Sequence, residues 1–258
     1  MSLLVPDWPA PASVKSIITC CEGGGSEGVY ESNNLGLHVG DNPKHVLKNR
    51  ESLQQALGLP GSPQWLEQIH STKIVEAQAG ERVRTGDGSY SREPGLACCV
   101  MTADCLPLLF CSSDGTQVAA VHAGWRGLAA GILTKARERF SCPANELMVY
   151  LGPAISQSHF EVGVEVLEAF FDAADSPDQA EAVARCFVAG RNPMRFYADL
   201  YALARIFLHG LGIESVYGGA ACTYSDMEGD KHRYFSYRRQ SQTGRMASLI
   251  WIDPATEV

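Results

Sequence analysis

Two continuous apolar runs of strand length occupy residues 96–102 and 106–111, separated only by Ala103-Asp104-Cys105, and another strand is expected over residues 117–122 after a turn at Asp114-Gly115. A strand with polar residues at alternate positions can face water on one side, whereas a continuously apolar strand has to be covered on both faces. The middle of this chain must therefore form a sheet buried on both sides, and the rest of the chain must supply the cover.

The flanking sequence offers that cover. Further strands are expected over residues 15–20, 65–69, 73–77, 147–151, 215–218, 235–238 and 247–252. Asn42-Pro43 opens a helix, because Asn caps well and Pro suits the first helical position; Val46, Leu53 and Leu57 give it one apolar face, and Gly58 suits its end. Other helices are expected over residues 127–140, 161–173 and 198–211. Residues 80–95 are polar and Gly-rich and read as a loop; residues 175–193 are polar and receive no assignment. Strands and helices intermingle with no repeat or linker, which predicts one α/β domain over residues 1–258.

At 45% apolar and 19% charged, the 258 residues suffice for a large core. A net charge of -8 gives no footprint for nucleic acid or an anionic membrane, and neither is expected as a partner. No run reaches the length of a membrane span, and the opening Met1 to Pro9 lacks the basic and apolar regions of a secretory signal, so a cytoplasmic setting is expected. The nine cysteines are odd in number, irregular in spacing and free of Cys-x-x-Cys, which predicts thiols in a reducing compartment and no zinc ribbon.

His70 follows a short strand, Cys105 sits in the break between two buried strands, and His122 ends a third. Two imidazoles and a thiolate converging at one sheet edge suit zinc and leave a fourth position open. The residues also allow a competing reading, with Cys105 a nucleophile, His122 its base, and Asp104 or Asp87 orienting the ring. Read blandly, a cysteine between apolar strands is a small core residue. Gly124-Trp125-Arg126-Gly127 turns from strand to helix, and its free N–H groups with the Arg126 fork suit an anion. The stretch from Tyr234 to Arg239, with Thr243-Gly244-Arg245, combines aromatics and arginines that could stack a ring and grip an anion.

Seven motifs together, in order from about Val5 to Ile252, resemble the YfiH-like family, formerly labelled multicopper polyphenol oxidase and now described as purine nucleoside phosphorylase. They are Gln68-Ile69-His70, residues 102–107 (Thr-Ala-Asp-Cys-Leu-Pro), residues 122–127 (His-Ala-Gly-Trp-Arg-Gly), Gly152-Pro153-Ala154-Ile155, Glu161-Val162-Gly163, residues 235–239 (Phe-Ser-Tyr-Arg-Arg) and Thr243-Gly244-Arg245-Met246. The resemblance implies two packed β-sheets flanked by helices, as in the catalytic domain of cytotoxic necrotizing factor. It implies zinc on His70, Cys105 and His122, with copper a substitute in vitro. It implies Cys105, His122, Asp104 and Arg126 as catalytic and Asn34, Asp87, Arg126 and Arg238 as substrate-binding, in a monomer acting on small molecules. The expected activity is phosphorolysis of adenosine, inosine and methylthioadenosine, with adenosine deamination beside it. The proteobacterial branch adds an alternative, an amidase removing L-serine from a UDP-muramic acid precursor.

Two departures stand out. Cys21 occupies the place of a family Arg, and Gly86-Asp87-Gly88 replaces Ala-Asp-Ala. A copper polyphenol oxidase fits worst, since a four-copper enzyme needs about ten histidines and the chain has seven. A purely structural metal with a regulatory nucleotide is a further alternative, although structural zinc normally takes four protein ligands.

Overall fold

A computed structural model describes residues 1–80 and 82–254. Glu81, within the expected loop, and residues 255–258, at the end of the expected domain, lie outside the described residues. Ten strands build the two main sheets: β1 (Leu3–Leu4), β2 (Val14–Thr19), β3 (Ile74–Glu76), β4 (Gly88–Ser91), β5 (Cys98–Thr102), β6 (Leu106–Ser112), β7 (Val118–Ala123), β8 (Leu147–Leu151), β9 (Ser215–Gly218) and β10 (Met246–Ile252). The helices are α1 (Pro43–Ala56), α2 (Trp125–Ala129), α3 (Ile132–Arg137), α4 (Val164–Asp172), α5 (Pro177–Arg185) and α6 (Leu200–Gly210).

One sheet has the order β1-β2-β10-β5 and is antiparallel throughout; the other runs β9-β8-β6-β7-β4-β3 and is mixed. Side chains alternate along each strand, so each strand serves two layers. On β6, Leu106, Leu108 and Phe110 pack with Leu128, Leu133, Phe170 and Leu203 of the helices. Leu109 and Cys111 turn the other way, onto Ile18, Val100 and Ile250 of the facing sheet. That facing sheet sends Ile17, Cys99, Met101 and Leu249 outward to Leu53 of α1. The result is four layers, α1, sheet, sheet, α2–α6, and the continuous apolar runs are the inner strands that need cover on both faces. Among the described residues, no helix is long and apolar enough to cross a membrane.

Several expectations are corrected. Residues 80–95 are not all loop: they contain a short strand, Arg84–Thr85, and β4. β4 reads Gly-Ser-Tyr-Ser and carries no apolar run, yet small residues are what its place demands. A Cβ on Gly88 would come within 2.5 Å of the Ile74 side chain and 3.0 Å of the Ala120 carbonyl. The helix expected over 127–140 breaks at Gly131, whose φ of 86° belongs to the left-handed region. Glu161–Gly163 pairs as a strand before α4 begins. α5 lies in the unassigned polar stretch, started by a Ser176 cap and Pro177. Residues 235–238 form a turn instead of a strand, and that turn carries Arg238 to the site.

Candidate metal centre

Strand register gathers the ligands. Pro107 of β6 pairs with His122 of β7, so Cys105, just ahead of β6, lies beside the end of β7. Gly88 of β4 pairs with Val121, and the His122 amide donates to the Asp87 carbonyl at 2.7 Å. Gln68 clips the segment before His70 onto β5: its Nε2 donates to the Met101 carbonyl and its Oε1 accepts from the Met101 amide, both at 2.8 Å. The metal-ligating atoms of His70, Cys105 and His122 all lie within 4.8 Å of one another, with the sulfur 4.0 Å from His70 Nε2. The two imidazoles stand edge to face, centroids 4.9 Å apart.

Two turns hold this geometry with positive φ, 58° at His70 and 96° at Asp104, a conformation non-glycine residues adopt only when their surroundings impose it. Asp104 is fixed by its side chain, which accepts from Thr223 Oγ1 and from the Arg238 amide, each at 2.6 Å, while its carbonyl accepts from the Ile155 amide. His70 is fixed by Asp87, whose carboxylate accepts from the amides of Ile69, His70 and Ser71 and from the Ser71 hydroxyl. Gly124 then leaves room: a Cβ there would sit 2.9 Å from the His70 ring and 3.2 Å from the Cys105 sulfur.

Asp87 also meets His122 Nδ1 at 2.9 Å. Burial would raise the Asp87 pKa, but hydrogen bonds from His122 and Ser71 outweigh it and hold the carboxyl at about 2. An ionised carboxylate only accepts, so Nδ1 carries the proton and Nε2 is turned toward the sulfur. Burial would also push the Cys105 thiol up; the His122 charge, with hydrogen bonds from His122 and His70, overrides it and lowers the thiol to about 6. Against its own burial, His122 is held up at about 9 by the Cys105 thiolate and Asp87. A thiolate, two imidazoles and a carboxylate behind one ring match the donor set and outer support of a borderline transition-metal site.

The cluster lies in a cleft of about 450 Å³. Trp125, Phe160 and Tyr237 give it aromatic walls, and Arg126 and Arg238 also line it. The Arg126 guanidinium lies over the Trp125 ring at 4.3 Å. Arg238 Nη1 donates to the carbonyls of His159 and Glu161. α2 spans only Trp125–Ala129, too short for a strong helix dipole, so any anion affinity at this corner rests on the Arg126 side chain.

Two expected substrate-binding residues stand elsewhere. Asp87 is fully buried beneath His122, and its oxygens are engaged as described. Asn34 is also fully buried, and its carboxamide binds the amides of Gly36 and Arg245, the Gly36 carbonyl and Asp41. Cys21 is buried, its thiol pushed up to about 12, and it faces a second hollow beside Arg239 outside the metal cleft. His38, which none of the motifs singles out, also lines the cleft. Phe160 follows no recognisable spacing and shows itself only once the loop after β8 is folded.

The family profile described as multi-copper polyphenol oxidoreductase laccase matches residues 15–253. A Pseudomonas aeruginosa protein named purine nucleoside phosphorylase is 50% identical over 249 residues, covering 96% of this chain and 98% of that protein. The Escherichia coli purine nucleoside phosphorylase YfiH is 46% identical over 254 residues, covering 97% and 98%. Among solved structures, a Neisseria meningitidis protein superposes with a TM-score of 0.88 at 50% identity over 98% of this chain and all of that one. A Bacillus licheniformis protein titled YfiH gives 0.84 at 26% identity over 93% of each. On the match of nearly its whole length, and of its layered fold, the chain belongs to the family described as multi-copper polyphenol oxidoreductase laccase, the YfiH-like family whose motifs it carries.

Proposed function

We propose that this protein is a zinc-dependent purine nucleoside phosphorylase of the cytoplasm, acting on adenosine, inosine and S-methyl-5′-thioadenosine. The observation that carries the reading is the His70–Cys105–His122 cluster opening onto a cleft with aromatic walls and guanidinium groups. The relatives named purine nucleoside phosphorylase support the same reading. Trp125, Phe160 and Tyr237 offer flat surfaces on which a purine can stack. Cationic side chains favour the negative charge of phosphate as the glycosidic bond breaks, and holding both reactants in one cleft converts their encounter into an oriented step. Bound zinc would supply a fixed positive charge that orients and polarises the reactant next to it. His70, Cys105 and His122 would hold it, and Asp87 keeps His122 in the ligating tautomer. Asp104 serves as a positioning residue, because both its oxygens tie Thr223 and Arg238 to the turn that presents Cys105.

Among the described residues, one group of three or more His, Cys, Asp and Glu side chains is placed to hold a metal, which argues for a single-ion centre and against a four-copper oxidase. The Cys105–His122–Asp87 chain also has the form of a cysteine hydrolase relay, the arrangement an amidase would use. Incubation with inosine separates the readings: hypoxanthine should appear with phosphate and not without it. Hypoxanthine in phosphate-free buffer, or serine released from a UDP-muramic acid precursor with no phosphorolysis, would overturn the proposal. The purified protein should hold about one zinc per chain, and Cys105→Ser should lose it; full retention with abolished activity would assign Cys105 as the nucleophile.

A further inference from the structure

We propose that Arg245 and His38 form an anion subsite in the metal cleft and that it holds the inorganic phosphate that attacks the nucleoside. The identity of the anion rests on the phosphorylase reading; the existence of the subsite does not.

Arg245 lines the cleft and is partly buried. Its Nη1 donates to the carbonyls of Thr243 and Gly244, at 3.1 and 2.9 Å. Among the described residues, no carboxylate forms an ion pair with it, and no hydrogen bond from its Nε or Nη2 is found. Its remaining donors are not buried among unpartnered atoms but open to the cleft, where they are available to an anion. The anionic groups that face it are Cys105 and Asp104. Asp104 already accepts from Thr223 and the Arg238 amide, and the Cys105 thiolate belongs to the metal cluster.

The position is built rather than incidental. The Arg245 amide donates to Asn34 Oδ1 at 2.9 Å, and its carbonyl accepts from the Leu35 amide. Gly36 leaves space for the stem: a Cβ there would lie 2.9 Å from Arg245 Cγ. A Cβ on Gly244 would strike the Phe235 ring at 2.6 Å. His38 lines the same cleft, and burial, followed by the charges of Arg245 and Arg50, lowers its pKa. A neutral imidazole can donate to a phosphate oxygen from one nitrogen. Arg238, whose Nη1 is likewise engaged by two carbonyls, is exposed, and so is Arg126 on Trp125, whereas Arg245 is half-buried. In the reaction, a phosphate oxygen bonds to C1′ as the C1′–N9 bond breaks. The bond's electron pair goes to N9, and the purine leaves with the proton that hydrogen phosphate gives up.

Two measurements on the metal-loaded protein test this. In steady-state phosphorolysis of inosine, Arg245→Gln should raise the KM for phosphate about ten- to hundred-fold, with the KM for inosine and the metal content little changed. Arg245→Lys should recover part of the loss, and His38→Gln should shift phosphate KM in the same direction by less. An unchanged phosphate KM in Arg245→Gln overturns the subsite. In thermal unfolding without nucleoside, inorganic phosphate should raise the midpoint of the wild type and not of Arg245→Gln; an equal rise in both also overturns it. That second measurement stands even if the wild type does not phosphorolyse inosine, which would sink the functional reading alone. A rise with acetate and none with phosphate would overturn the phosphate assignment and give the subsite to a substrate carboxylate. If Arg245→Gln fails to fold, His38→Gln in both measurements decides.

Discussion

Asp87 has no face open to the cleft, yet four of its neighbours depend on it. The family resemblance made it a substrate-binding carboxylate, while the nucleophile reading offered it or Asp104 as the group behind the His122 ring, because nothing in a one-dimensional pattern tells a residue that touches ligand from one that stands behind it. The convergence of His70, Cys105 and His122 was legible because their motifs are distinctive; the β4–β7 register then places Asp87, and not Asp104, on the His122 ring. Asp87→Asn keeps the shape but offers Nδ1 a group that can donate as well as accept. Metal affinity should fall about 10–100-fold, read by competition with a chelating indicator, and an unchanged affinity would remove Asp87 from the metal's support. A second prediction concerns protons. In the metal-free protein the depressed Cys105 thiol stabilises the fold above its unfolded value of 9.0 and loses that effect as pH falls through about 6. The raised His122 stabilises below its unfolded 6.5 and loses the effect as pH rises through about 9. Between roughly 6.5 and 9 the two cancel, since folding moves one proton from sulfur to nitrogen and leaves the total unchanged. Metal-free stability should be flat across that window for this pair, while zinc uptake at pH 8 should release about one proton per ion from His122. Uptake with no proton release in weak buffer would contradict the assigned charges.

At the scale of elements, the hydrophobic period served well where strands are apolar and failed where they are not. β5, β6 and β7 were readable because each has to fill two layers. β4 was hidden by its small polar residues, and the turn over 235–238 by its alternating aromatics, which imitate a half-buried strand. The break at Gly131 was written in the sequence as a lone glycine, but a glycine inside a helical pattern marks a break only when its φ is known. Leu108 points from β6 into the helix layer and is wholly buried. Leu108→Ala should therefore cost about 2–5 kcal/mol of stability in denaturant unfolding. Zinc stoichiometry should survive, because the ligands lie beyond the strand's end; coupled loss of metal would show that the helix layer positions the centre.

Across the whole molecule, the His70–Cys105–His122 cluster lies at the rim of the two sheets, outside the clusters of buried apolar side chains that form the cores. Small zinc domains collapse when the ion is removed because the ion replaces a core. Here chelation should abolish phosphorolysis yet leave the circular dichroism spectrum and a cooperative unfolding transition, with a lower midpoint restored by added zinc. Loss of the transition on chelation would mean that the sheets need the ion to close.

The carboxylate behind His122 is a rivet through two separate pieces of chain, the bend bearing the first imidazole and the strand bearing the second. A single proton landing on it would slacken both at once. In strong acid, as pH descends from near 4 toward 2, the contribution of this group to the fold drains away. The bend and the strand should then come loose together in one step rather than in sequence.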